Sequence, residues 1–157
     1  MKKIGVVGVG NPLRKDDGVG IYLLNFLIDK KDGLSKNLLF FDGGTKGMNL
    51  LHILAKLDVA IIIDAVNLDE KPGCYKFFKY SDVKSKNEFT YFNSHEDDLL
   101  KIIALSEILD EKPEIYFFGV QPKDISYGEG FSKDLENSMD EIKNQLINKL
   151  NVIVNEL

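Results

Sequence analysis

Apolar residues recur along this chain at two spacings, and together they predict alternating strands and helices. Residues 4–9 form a short continuous apolar run that reads as a buried strand. Val19, Leu23, Phe26 and Leu27 then follow at helical spacing, and Gly33 closes that segment. A second apolar run at 38–41 leads into Asp42-Gly43-Gly44-Thr45, read as a strand with a glycine-rich loop at its carboxyl end. Leu50, Leu51, Leu54 and Leu57 mark a second helix, with His52 off the apolar stripe and expected at the surface. Residues 59–63 are apolar throughout, the pattern of a central strand buried on both faces, and the run ends on Asp64.

The second half continues the alternation less regularly. Residues 67–73 are polar and contain the turn signal Pro72-Gly73. Residues 74–80 alternate loosely, and their short connection to the preceding strand predicts an antiparallel neighbour. The charged, patternless stretch 81–92 reads as a loop. Ser94 with Asp97 resembles a capping box, which places His95 in the first turn of a helix continued by Leu99, Leu100, Ile102, Ile103 and Leu105. Residues 115–120 form another buried strand, ending in Gln121-Pro122. Residues 127–132 are a loop, and Leu135, Met139, Ile142, Leu146, Leu150 and Ile153 mark one long closing helix. The expectation is a single α/β domain over 1–157, three layers deep around a mostly parallel sheet.

Composition narrows the function classes. At 44% hydrophobic and 29% charged, the chain has the make-up of a globular protein with its own core. Its net charge of -5 argues against a general nucleic-acid binder, which needs a basic surface. Cys74 is the single cysteine, which excludes a disulfide framework and a thiolate metal cluster. No apolar run approaches the roughly 18 residues of a membrane span. A cytoplasmic protein with neither membrane nor nucleic-acid partner is expected.

The candidate chemistry gathers at strand ends. The stretch Gly8-Val9-Gly10-Asn11-Pro12-Leu13-Arg14-Lys15-Asp16-Asp17-Gly18-Val19-Gly20 lies between the first strand and its helix, where open α/β sheets place ligands. Gly8 and Gly10 allow a close backbone approach, and Pro12 fixes the chain direction. Arg14 is the only arginine in the sequence. A carboxylate at the end of a buried strand, as at Asp64, is costly unless it is paired, hydrogen-bonded or bound to a cation; capping the next turn is the plainer role. At a helix start the macrodipole favours the neutral imidazole for His95, the form that binds metal, although a first-turn histidine is equally a surface residue. Asp17, Asp64 and His95 together suit a borderline divalent ion such as zinc or nickel, but no short motif joins them. The competing reading is dinucleotide binding through Gly8, Gly10 and Asp42. It is weakened by Leu13 in place of the third glycine and by two acids where a pyrophosphate would sit. Cys74 and the serines lack the surroundings of a nucleophile.

These residues resemble the hydrogenase maturation endopeptidases. The resemblance is carried by Gly8-Val9-Gly10-Asn11-Pro12-Leu13, by Asp16-Asp17-Gly18-Val19-Gly20, and by Asp42-Gly43-Gly44-Thr45 with Gly47. Asp64-Ala65, His95 and Gly119-Val120-Gln121-Pro122 complete it, in order, over nearly the whole chain. It implies a three-layer α/β/α domain with a five-stranded mixed sheet, phosphorylase/hydrolase-like. The implied activity is removal of a C-terminal extension from the large subunit of a nickel-containing hydrogenase after nickel insertion. The implied metal-contacting and catalytic positions are Asp17, Asp64 and His95, with nickel supplied by the precursor and no organic cofactor. Asp42, Gly43, Gly44 and Thr45 are expected to position the substrate backbone. The family often has Glu where this chain has Asp17, so a one-methylene shorter arm is expected there, with Asp16 as a possible contributor. Two alternatives stand beside this: a non-catalytic nucleotide- or dinucleotide-binding module, and a metal-sensing hydrogenase chaperone.

Overall fold

β1 (Ile4–Val9) and β3 (Val59–Ala65) are buried at every residue, as expected of strands covered on both faces. The computed structural model describes residues 1–45, 48–85, 97–110 and 113–157. Among these, β2 (Leu38–Gly44), β4 (Tyr75–Lys79) and β5 (Glu114–Val120) complete a five-stranded sheet of order β2-β1-β3-β5-β4. β2, β1, β3 and β5 are mutually parallel and β4 is antiparallel to β5. The mixed α/β sheet is the expected one.

Alternation along the strands sorts the core into two halves. Val6, Ile61, Ile63 and Phe118 pack against α1 (Val19–Asp29) and α5 (Lys133–Glu156). Val7, Ala60, Ile62 and Phe117 face α2 (Met48–Ala55) and α4 (Asp97–Ile108). The buried residues of α5 are Leu135, Met139, Ile142, Leu146, Leu150 and Ile153, the stripe read from the sequence. No helix among the described residues is long and apolar enough to cross a membrane.

Four local expectations change. β2 runs through Asp42, Gly43 and Gly44, which the sequence reading assigned to a loop. A register shift makes this possible: Gly8 pairs with Asp42 but Val9 with Gly44, so the strand bulges and stays in the sheet. β4 is antiparallel, yet it pairs with β5, because β5 occupies the free edge of β3 over its full length. Tyr75, Phe77 and Phe78 stack on Phe118, Tyr116 and Phe117, which favours that placement. Cys74 precedes β4 rather than lying within a strand. The start of the expected 81–92 loop is a short helix, α3 (Tyr80–Ser85), anchored by the buried Tyr80. The Ser94–Asp97 cap, His95 and Gly47 involve positions outside the described residues.

Candidate active site

The strand order creates a crevice before any side chain is considered. β1 connects through α1 on one face to β2, and β2 returns through α2 on the other face to β3. The connection leaving β1 leads to β2 on one side while the one leaving β3 leads to β4 and β5 on the other, so the two diverge, and ligands of such sheets bind at the carboxyl ends of the two strands flanking that point. Residues 10–18 leave β1 there, and Asp64 lies near the end of β3. Gly20 lets the first turn of α1 rest directly on both strands, since a Cβ there would strike the carbonyl oxygens of Val9 and Ile63. Gly10, at φ 135°, likewise lies against the carbonyl of Asp17. Gly8 faces the Gly20 carbonyl in the same way, so the close approach foreseen for Gly8 and Gly10 is made by the chain itself.

The three acids of the region have different surroundings. Asp17 is half-buried in a 3-10 turn (Lys15–Gly18) ahead of α1. Its Oδ2 accepts the Asn11 N–H at 3.0 Å and its own N–H donates to the Arg14 carbonyl at 3.0 Å. Asp16 is fully buried and spends both oxygens on backbone N–H groups: Oδ1 accepts from Ser132, Oδ2 from Lys123 and Asp124. It is therefore withdrawn from the ligand role left open for it. Asp64 is fully buried and shares strand parity with Ala60 and Ile62, so it faces the layer of α2 and α4. His95 lies outside the described residues, two positions before α4 begins. Asp17, in the turn beyond β1, and Asp64, near the end of β3, thus lie toward the same end of two adjacent strands. Among the described residues there is no group of three or more His, Cys, Asp or Glu that could hold a metal ion.

Asp42 is exposed, and its Oδ1 accepts the Gly44 N–H at 2.8 Å in a local turn. The Gly44 carbonyl in turn accepts the Gly10 N–H at 2.9 Å. Gly43 is buried where a Cβ would lie 2.6 Å from Val9 Cγ1. Thr45 is exposed in the turn that follows. The Asp-Gly-Gly-Thr segment is therefore tied to the opening motif from the β2 side.

Sequence reasoning missed the partner on the other side, the loop between β5 and α5. Arg14 Nε donates to the Ile125 carbonyl at 3.0 Å, and its guanidinium lies 5.5 Å from the centroid of the exposed Tyr127 ring. The Gly128 N–H donates to the Leu13 carbonyl, and the Lys15 N–H to the Gly128 carbonyl. Lys15 adopts φ 45°, a strained conformation for a side-chain-bearing residue, and its Nζ lies 3.0 Å from Asp124 Oδ2. The Ser126 hydroxyl and N–H, with Lys15, hold the Asp124 carboxyl well below the usual carboxylate range. Gln121 is also buried; its Oε1 accepts the Leu68 N–H at 2.6 Å, joining the end of β5 to the chain beyond β3. The only hints in sequence were the lone arginine and the doubled aspartate, because the partners lie more than a hundred positions away.

Comparison with known proteins gives a consistent family. A sequence profile described as hydrogenase maturation protease matches residues 26–149. The hydrogenase expression/formation protein HupD of Thiocapsa roseopersicina is 30% identical over 124 residues, 78% of this chain and 56% of that protein. HupD of Rhizobium leguminosarum bv. viciae is 27% identical over 124 residues, 78% of this chain and 61% of its own length. The chain thus spans less than two thirds of these relatives. A Methanocaldococcus jannaschii protein provisionally named a hydrogenase maturation protease is 30% identical over 154 residues, 93% of this chain and 87% of that protein. Among solved structures, the hydrogenase maturating endopeptidase HybD from E. coli is similar with a TM-score of 0.78 and 27% identity, covering 95% of this chain and 92% of that one. The [NiFe] hydrogenase maturation protease HybD from Thermococcus kodakarensis shares the fold at a TM-score of 0.76 and 24% identity, over 94% and 98% of the two chains.

Proposed function

This chain belongs to the hydrogenase maturation protease family, and from that premise we propose that it is an endopeptidase acting on a nickel-containing hydrogenase large subunit. The reaction is removal of the C-terminal extension once nickel has been inserted. One observation carries the reading: Asp17, in the turn that leads from β1 into α1, and Asp64, near the carboxyl end of β3, lie at the end of the sheet where the connections leaving these two strands diverge. The two carboxylates and the His95 imidazole form a donor set suited to nickel. In this reading the ion arrives with the precursor, and Asp17, Asp64 and His95 hold it between enzyme and substrate. Substrate-borne nickel would serve as a positional check and would supply Lewis-acid polarisation of the scissile carbonyl. Asp42, Gly43, Gly44 and Thr45 would guide the substrate backbone beside it.

The surroundings of the opening motif disfavour dinucleotide binding. A pyrophosphate needs free N–H groups and room beside the glycines. Here the Asn11 N–H is given to Asp17, and the space beside Gly10 is filled by the Asp17 backbone. The chaperone alternative separates from the peptidase by a single assay. Purified chain is incubated with its nickel-loaded large-subunit precursor, and the mass of the precursor is followed. Cleavage is expected with the wild type and is expected to disappear in Asp17→Ala, Asp64→Asn and His95→Ala. An intact precursor beside wild-type protein would refute the reading, and cleavage by His95→Ala would remove that residue from the site.

A further inference from the structure

Asp16 is fully buried and unused by the chemistry above. Among the described residues, every hydrogen bond its carboxylate accepts comes from the loop between β5 and α5, 107 to 116 residues later in the chain. Oδ2 takes the N–H groups of Lys123 at 2.9 Å and Asp124 at 3.1 Å, and Oδ1 takes that of Ser132 at 2.7 Å. The Asp16 N–H returns the connection, donating to the Asp124 carbonyl at 3.0 Å. The next residue is Asp17, whose own carboxylate is fixed by the Asn11 N–H.

We infer that Asp16 is a positioning residue that locks the opening motif and the β5–α5 loop into one body, so that Asp17 meets the substrate in a fixed pose. The residue type follows from the geometry. Three N–H donors converge on two oxygens, and only a carboxylate offers acceptors on both. In asparagine the amide NH2 confronts at least one donor whichever way it is turned. The consequence for cleavage rests on the endopeptidase reading; the mechanical coupling does not.

The test reads both. Backbone amide hydrogen exchange is measured by NMR on wild type, Asp16→Asn, and Leu146→Ala as a control for plain loss of stability, each at the same interval below its melting temperature. In Asp16→Asn, exchange should rise at least about tenfold at Lys123, Asp124 and Ser132, and also at Asn11, which reports on Asp17. Leu146→Ala should not single out these sites. Should Asp16→Asn fail to fold, Ser132→Pro deletes one of the three donors at a φ of -57° that proline accepts. Ser132→Ala is its control for the lost α5 cap. In the precursor assay, kcat of Asp16→Asn should fall roughly tenfold or more with KM nearly unchanged, since misplacement penalises the chemical step. Unchanged Asn11 exchange in the variants that loosen the loop, or a wild-type kcat in Asp16→Asn, would overturn the inference. A wild-type chain that leaves the precursor intact would overturn the peptidase reading instead, with the exchange experiment still deciding the coupling.

Discussion

Gly8→Ala is expected to destabilise the protein although alanine has the better backbone entropy. A Cβ at position 8 would lie 2.6 Å from the Gly20 carbonyl oxygen and 2.8 Å from Leu24 Cβ, both on α1. Ordinary contact begins at 3.4 Å, so α1 must retreat by 3.4 − 2.6 = 0.8 Å. A gap of that size forfeits about a quarter to a half of the dispersion energy across it. The face affected carries Val19, Leu23, Leu24 and Leu27, all buried. Overpacking of this kind costs about 1–3 kcal/mol, and the backbone gain returns about 0.5–1 kcal/mol. The net loss is at most about 2.5 kcal/mol and centred near 1 kcal/mol, or roughly 2–4 °C in melting temperature at that centre for a chain of this size. Gly33→Ala is the matched comparison: nothing lies within 4 Å of its added Cβ and its φ is not positive, so it should be neutral or raise stability by up to about 1 kcal/mol. Calorimetry on the two variants beside wild type decides the matter. A Gly8→Ala protein that melts with or above Gly33→Ala would refute the claim that α1 sits directly on β1.

Two further outcomes are expected. Burial, with a hydrogen bond to Glu114 at 2.6 Å, pushes the Tyr116 phenol from 10.0 up to about 12. Because the folded pKa lies above the ordinary one, this contribution is full below about pH 10 and is lost as pH rises toward 12. Lys79, also raised through its bond to Glu114, adds to the same alkaline decline. Tyr116→Phe should therefore make the fall in melting temperature between pH 9 and about 12 shallower without flattening it; an unaltered slope would sink the assignment. Arg14→Lys keeps the charge but loses the planar group beside Tyr127 and the Nε–H bond to Ile125. A stability loss of about 0.5–1.5 kcal/mol and faster proteolytic nicking within 121–132 are expected, and equal nicking of both proteins would argue against this anchor.

What could be read from the sequence depended on how local the cause was. β1, β3 and α5 were legible because burial on both faces, or along one stripe, writes itself directly into residue spacing. The strand-end positions of Asp17 and Asp64 followed from those boundaries. The end of β2 was misread because glycines signal turns locally, whereas a bulged pairing with Val9 and Gly10 keeps this segment in the sheet. The partner of β4 was hidden because it is settled by a later strand. Asp16 and Asp17 look interchangeable in sequence, and only the distant N–H groups of Lys123, Asp124 and Ser132 distinguish them.

The lacing of residues 10–18 to the β5–α5 loop also sets an order in time. A ribosome delivers the opening motif well before its binding partners at 123–132, which emerge only after more than a hundred further residues have been made. β4 waits as well, since the strand it pairs with is synthesised after it. Contacts of such long sequence separation form late, once the entropy of closing the intervening loop has been overcome. The opening motif thus stays unlocked until residues 123–132 have been made, and the surroundings of Asp17 are fixed only after that late segment has joined it.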